Sequence, residues 1–431
     1  MEEQGNGKAS GPQPGSALKA VLGLRNFRLL WLGETISLMG DQFYFIALPW
    51  LVLMLSGDPL ALGTILALVA VPRALFMLVG GALTDRISPR MVMIGSNFLR
   101  LMLVLSITAL VFTDIIKMWM IYFFALAFGV GDGFFYPAQL AIIPQIVKKK
   151  HLQVANSLIM GMMQVTMFAG PVLAGLVIAT FATSETDLTG IGYAFFIDAL
   201  TFLISLITLA MISISRKKKK DKESMIDSIK HGLAYVWANL QFRAVLIVIF
   251  VVNFLLVGPI IVGIPVIADT KLAGAVSYGF VMTAYGGGSL LGIALAGGLP
   301  RPPKYFGSVL LVVTAIMGLG LFSLAFFQTT ALVALAALVM GAANGYVMIL
   351  GLTWFQSRTE ESMMGRMMSL VMFSGAGIAP VSMALTGVLL DWNMELMYLG
   401  LGSILIIFTL GLAITPYVRG MKFDLEEEKA T

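Results

Sequence analysis

Six ionisable residues, Glu34, Asp41, Arg73, Arg100, Asp132 and Asp198, stand inside long apolar runs of this 431-residue chain. Charge in an apolar medium is costly, and it is kept where ions or a substrate must pass. Glu34 and Asp41 are seven residues apart, so on a helix they share a face. At ~1.5 Å of rise per residue, Asp41 lies roughly 20 Å from Arg28, Arg73 roughly 18 Å from Asp85, and Arg100 roughly 15 Å from Arg90. Those depths let Asp41 meet an arginine. An Asp–Arg pair holds the acid ionised until the arginine is displaced, and a buried carboxyl released from its pair takes up a proton. Asp41 is therefore the first candidate for a proton switch, with Glu34 as a second group and Asp132 as the next acid. Arg73 and Arg100 are the candidate partners. The competing reading is a permanent structural ion pair.

These side chains need helices long enough to hold them. Twelve apolar runs qualify, at 29–55, 60–83, 91–113, 118–141, 155–182, 190–213, 244–267, 275–299, 306–327, 330–352, 367–390 and 396–416. A helix that crosses a bilayer needs about 20 such residues. Composition agrees, with 58% hydrophobic and only 12% charged residues and a mean hydropathy of +0.92. Soluble domains carry about 25% charge. The last six runs contain no Asp, Glu, Lys or Arg, although Glu395 sits at the edge of the twelfth; their notable polar groups are Asn253, Tyr285 and Asn344.

Basic residues set the expected orientation. Of the 28 lysines and arginines, all but Lys117, Lys271, Arg73 and Arg100 fall before the first run, after the last, or in alternate loops. Such a bias places both termini in the cytoplasm. The net charge of +5 thus reflects topology and gives no reason to expect a nucleic-acid partner. The segment 214–243 opens with a basic run, 216–220, and then repeats apolar residues at helical spacing from Met225 to Trp237. It reads as an amphipathic helix on the cytoplasmic membrane surface. It divides the chain into a first unit, 1–213, and a second, 244–431. The polar N-terminus, Met1 to Ser16, is unlike a signal peptide, and His151 and His231 are expected in water.

Between the second and third runs lies Gly81-Ala82-Leu83-Thr84-Asp85-Arg86-Ile87-Ser88-Pro89-Arg90, a short charged elbow in which Pro89 forbids one continuous helix. It resembles motif A of the major facilitator superfamily, with Ser88 where that family has glycine and Pro89 where it has a basic residue. The resemblance implies that Gly81, Asp85, Arg86 and Arg90 act as a conformational switch at the cytoplasmic face. The fifth run carries Gly170-Pro171-Val172-Leu173-Ala174-Gly175, similar to the antiporter motif C with Ala174 in place of one glycine. The eleventh carries Gly375-Ala376-Gly377-Ile378-Ala379-Pro380, small residues and one proline in the fifth helix of its own half. Further elements, Phe27 to Trp31, Ser37 to Asp41, Ala47 to Trp50, Ala155 to Leu158 and Gly365 to Ser369, resemble the macrolide and enterobactin exporter branch. No arginine precedes Gly129, where drug/proton antiporters of the family often carry one.

Other chemistries find no support. The chain has no cysteine, hence no disulfide or thiol metal site, and no phosphate-binding G-x-x-x-x-G-K-[ST] loop to couple ATP. No nucleophile triad or metal cluster can be assembled. The expected protein is an all-α membrane protein of twelve helices in two pseudo-symmetric six-helix bundles, monomeric and without cofactor, in the bacterial inner membrane. The expected activity is proton-coupled export of a hydrophobic or amphipathic small molecule, a macrolide-like drug or a siderophore, with a place in multidrug resistance. The 28 methionines, among them Met160, Met162, Met163 and Met167, suit an adaptable apolar pocket or plain lipid-facing surface. Alternatives on the same fold are nutrient uptake and the flipping of lysophospholipids.

Overall fold

Within a hydrocarbon layer every backbone N–H and C=O must be satisfied inside its own segment, and an apolar run of this length therefore closes into a helix. A computed structural model describes residues 14–148, 151–184, 187–213, 237, 239–298, 306–359, 374–375 and 377–421, and among these every regular element is helical. A short α1 (Pro14–Gly23) precedes α2 (Arg25–Ser56), α3 (Pro59–Arg86), α4 (Pro89–Phe112), α5 (Met118–Ile146), α6 (Leu152–Phe181) and α7 (Thr189–Met211). The second unit contains α8 (Leu240–Gly258), a π turn (Pro259–Gly263), α9 (Ile264–Lys271), α10 (Gly274–Gly298), α11 (Phe306–Ser323), α12 (Thr330–Arg358), α13 (Ala379–Ile414) and α14 (Pro416–Arg419). The expected surface helix at 214–243 lies almost wholly outside the described residues.

Among the described residues, eleven helical stretches are long and apolar enough to cross a membrane, and one of them is two helices joined at a kink. Asn393, inside α13, has an extended backbone (φ −165°, ψ 112°) that divides the 36-residue helix. Its side chain accepts from Leu396 N at 2.8 Å, which caps the second pass. The two parts of α13 fall in the eleventh and twelfth expected passes, the first half of the eleventh lying largely outside the described residues. The first hairpin is closed by Gly57, whose left-handed φ of 61° ends α2, and by Asp58, which accepts from Leu60 N to start α3.

Several boundaries differ from expectation. The elbow after α3 is shorter than its charges suggest: the helix runs through Asp85 and Arg86, leaving only Ile87 and Ser88 between helices. As expected, no continuous helix runs through Pro89; it begins α4, because the first turn has no use for its missing N–H. The π turn was not expected. Pro259 has no N–H to donate to the preceding turn, and α13 satisfies groups around this region. Ser382 Oγ donates to Phe254 O at 2.6 Å and accepts from Gly258 N at 2.8 Å, while the Tyr398 hydroxyl donates to Pro259 O at 3.1 Å.

Helix packing repeats between the units. In the first, Gly129 and Gly133 of α5 lie against the α3 backbone; a Cβ on Gly133 would come within 2.9 Å of Arg73 O. In the second, Gly341 and Gly345 of α12 lie in the same way against the Tyr285 and Ser289 carbonyls of α10. Each pair puts two glycines four residues apart on the fourth helix of its unit, where close backbone approach needs them.

The units meet along two further seams. A Cβ on Gly63 of α3 would lie 2.8 Å from Gly387 Cα and from Met383 O of α13. A Cβ on Gly175 of α6 would lie 2.9 Å from Ala275 O of α10, and one on Gly279 would lie 2.6 Å from Pro171 O. Val172 N donates to Thr283 Oγ1 at 3.0 Å, and the Tyr278 hydroxyl to Phe45 O at 3.3 Å. These contacts lie in the part of the bundle that ends at the Gly57–Asp58 turn. Toward the other end of α6, a Cβ on Gly161 would meet nothing within 4 Å.

Candidate functional site

Five helices of the first unit, α2, α3, α4, α5 and α7, bring the charged residues together. Asp132 of α5 is the hub: its two oxygens meet Arg73 Nε of α3 at 3.1 Å and Arg100 Nη1 of α4 at 3.3 Å. Glycine makes room for this, since a Cβ on Gly131 would lie 3.3 Å from Arg100 Cγ. The Arg100 side chain is 2% exposed, whereas that of Arg73 is 40% exposed. Arg100 also donates to Asn97 Oδ1, and Asn97 Nδ2 donates to Ser205 Oγ of α7 at 2.9 Å. Its guanidinium carbon lies 4.1 Å from the Phe135 ring centroid and 4.9 Å from that of Phe202. Cation–π contact of this kind helps offset the loss of water around a buried arginine.

The arginine pairing corrects the sequence reading. Asp41 shares the depth of the arginines, but it is Asp132 that holds both. Asp41 Oδ1 is enclosed and meets no hydrogen-bond partner. Glu34, 2% exposed, accepts from Gln139 Nε2 at 2.7 Å through Oε2, while its Oε1 is enclosed without a partner. Asp198 of α7 is fully buried, and its Oδ2 is likewise unmatched. Asp198 was legible as a charge in an apolar run but not as a member of this group. Gln139 and Asn97 were not legible at all, because neutral amides inside a helix carry no periodic signal.

The family model of the Major Facilitator Superfamily matches residues 30–383. The chain belongs to this superfamily. It is 26% identical over 398 residues to an uncharacterized MFS-type transporter, YfiS of Bacillus subtilis, covering 88% of this chain and 90% of that one. It is 23% identical over 364 residues to the multidrug efflux pump Tap of Mycolicibacterium fortuitum, covering 82% and 86%. With the enterobactin exporter EntS of Escherichia coli it shares 23% identity over 354 residues, 79% of each chain. In fold it is similar to a bacterial homologue of the iron transporter ferroportin, with a TM-score of 0.70 at 16% identity, covering 91% of this chain and 99% of that chain. It is therefore a multi-pass membrane transporter.

The superfamily motifs can now be placed. The backbones of Gly81, Asp85 and Arg86 form the last turns of α3, and their side chains lie outside the described set. Arg90 binds within its own unit, donating to Leu209 O at 2.7 Å and Ala210 O at 2.6 Å at the end of α7. Gly170 packs on the Gln42 side chain of α2, while Pro171 and Gly175 form the seam with α10. Of the run at 375–380, which lies partly outside the described residues, a Cβ on Gly375 would stand 3.9 Å from Asn253 Oδ1, while in α13 a tight contact is made by Gly387. Pro380 sits in the first turn of α13, directly after a turn at 377–378. His151, expected in water, is half-buried with Nδ1 enclosed. The segment Gly365 to Ser369 lies outside the described residues. Among those described, no group of His, Cys, Asp and Glu is placed to hold a metal.

Proposed function

We propose that the protein is a proton-coupled exporter of a hydrophobic or amphipathic small molecule, a drug or a siderophore. The observation that carries this reading is the charge balance of the polar cluster. Four carboxyls, Glu34, Asp41, Asp132 and Asp198, are grouped with two arginines, and both arginines go to Asp132. The three other acids are enclosed on at least one oxygen without an ionic partner. Proton uptake is the simplest way to balance such a cluster away from water. The direction of transport rests on similarity to Tap and EntS, a multidrug efflux pump and an enterobactin exporter by name.

The basic loops support a bacterial inner-membrane protein with both termini cytoplasmic. The Gly57–Asp58 end then faces outward, and the Gly63–Gly387 and Gly175–Gly279 seams close the transporter on that side. This is the cytoplasm-facing stage of alternating access between two units. Asp41, with Glu34, would carry protons, and Arg73 and Arg100 would hold Asp132 in its structural place. Gly81, Asp85 and Arg86 would act on switching rather than on substrate. A monomer suffices, because all of these groups lie in one chain.

The test is direct. A thermal-shift screen of macrolides, siderophores and lysolipids should identify a ligand, since binding to the folded state raises its stability. Proteoliposomes with an imposed pH gradient should then concentrate that ligand. Lysolipid binding with no dependence on the gradient would contradict the reading.

A further inference from the structure

We propose that Asp41 and Asp198 form one two-carboxyl site that binds a single proton between the first and sixth membrane helices. The inference deepens the proton-coupled reading above and rests on it. The two helices run antiparallel in a register fixed by three contacts. Gly33 packs on Thr208, Gly40 packs on Thr201, and the Tyr44 ring stands edge-on to Phe195 at 5.7 Å. In that register Asp41 and Asp198 fall within about one helical turn of each other. Residue 40 makes the approach possible: Asp198 Oδ1 lies 2.7 Å from where a Cβ on Gly40 would stand.

Among the enclosed, unmatched oxygens of these two helices, Asp41 Oδ1, Asp198 Oδ2 and the Tyr44 hydroxyl lie at this level, and Glu34 Oε1 lies about two turns away along α2. Thr201 does not satisfy them, because its hydroxyl donates to the Asp198 backbone carbonyl at 2.7 Å and stands 3.5 Å from Asp198 Oδ1. The surrounding charged groups are Glu34 on α2, Arg73 on α3, Arg100 on α4 and Asp132 on α5. Both arginines bridge to Asp132, so neither neutralises the pair by direct contact. Helix α6, which also packs on α2, contains no ionisable residue, and Tyr278 of α10 is engaged with Phe45 O. Two carboxylates so placed do not both ionise readily, and they titrate as a unit. Binding one proton converts two carboxylates into one carboxylate and one carboxyl; opening of the site returns that proton to water.

The experiment is an infrared pH titration of the full-length protein in detergent and choline buffer, following the carboxylic-acid carbonyl band. Asp198→Asn should remove one step and move the Asp41 step to lower pH by about 1 unit or more, because a like charge has gone. Asp41→Asn should move the Asp198 step by the same amount, since coupling between two sites is reciprocal. If Asp198→Asn does not fold, the Asp41→Asn titration alone decides. Unmoved steps would show independent acids and overturn the proposal. Suppression of the wild-type band by sodium, lost in both variants, would show a cation site and overturn it too. Proton release on ligand addition to the wild type separates the two readings. Release with independent acids leaves proton coupling intact without the pair, whereas no release contradicts coupling itself.

Discussion

Arg100 reaches Asp132 at 3.3 Å with only 2% of its own side chain exposed, and this pairing leaves Asp41 free of a direct arginine bridge. A buried arginine cannot shed its charge, so the carboxylate opposite it is committed to a structural task. An acid without that commitment is available to exchange protons. Asp132 and Asp41, which lie at similar depths, are thereby assigned different roles.

Removing the hub should therefore be costly. Asp132→Asn leaves Arg100 buried with only Asn97 and two aromatic rings, and loss of one partner of a buried pair costs about 3 kcal/mol or more. Thermal unfolding in detergent should show a large fall for Asp132→Asn and a small one for Asp41→Asn. Equal, small effects would show that Arg100 does not depend on Asp132.

The glycine seams predict a conformational phenotype. Gly63→Leu places a side chain where Gly387 Cα and Met383 O already stand, so it should disfavour closure at the Gly57–Asp58 end. The chain has no cysteine, and Met383→Cys therefore provides a single labelling site at a position that is 8% exposed. Labelling should rise by about tenfold when Gly63→Leu is added, equivalent to a shift of ~1.4 kcal/mol. Unchanged labelling would mean that the seam is not a barrier.

Twelve passes, their order and the charged residues within them were legible because hydropathy and chain length fix where a helix crosses and how deep a residue lies. Pairing was not. Depth follows from counting along one helix, but whether Asp41 or Asp132 faces Arg100 depends on how α2, α4 and α5 are rotated about their axes. Gly387 shows the same limit: it is one glycine among 45 until α3 is placed against it. The small-residue run at 375–380 looked the better counterpart of Gly170 to Gly175 because composition was the only guide. Arg90 was placed at the elbow by the resemblance to motif A, and its contact with the end of α7 could not be read from that spacing.

That last contact makes a separate prediction. Arg90→Ala removes two charged hydrogen bonds to Leu209 O and Ala210 O. Discounted for partial exposure, this should cost about 1–2 kcal/mol. Ligand affinity should stay within a few-fold, and Arg90→Lys should restore part of the stability. A loss of binding without a loss of stability would place Arg90 elsewhere in the mechanism.

The turn between α6 and α7 should carry a pH dependence of its own. The Asp187 carboxylate accepts from the amides and hydroxyls of Thr183 and Thr189 at 2.6–2.8 Å. Those hydrogen bonds, the Thr189 hydroxyl foremost, hold its pKa well below the ordinary carboxylate value. A depressed carboxylate stabilises the fold above its unfolded pKa, and the contribution disappears as pH falls through the folded value. Asp187→Asn should lower the unfolding temperature at neutral pH, and the gap from wild type should narrow in strong acid. A gap independent of pH would exclude the carboxylate as its source.

The most direct test of proton coupling is transport by Asp41→Asn, a change that keeps the shape of the side chain and removes its titration. In proteoliposomes with an imposed pH gradient, the wild type should concentrate the ligand found by thermal shift. The variant should bind that ligand and exchange it downhill, but fail to concentrate it. If Asp41→Asn still concentrates the ligand with the wild-type dependence on pH, Asp41 is not the coupling acid.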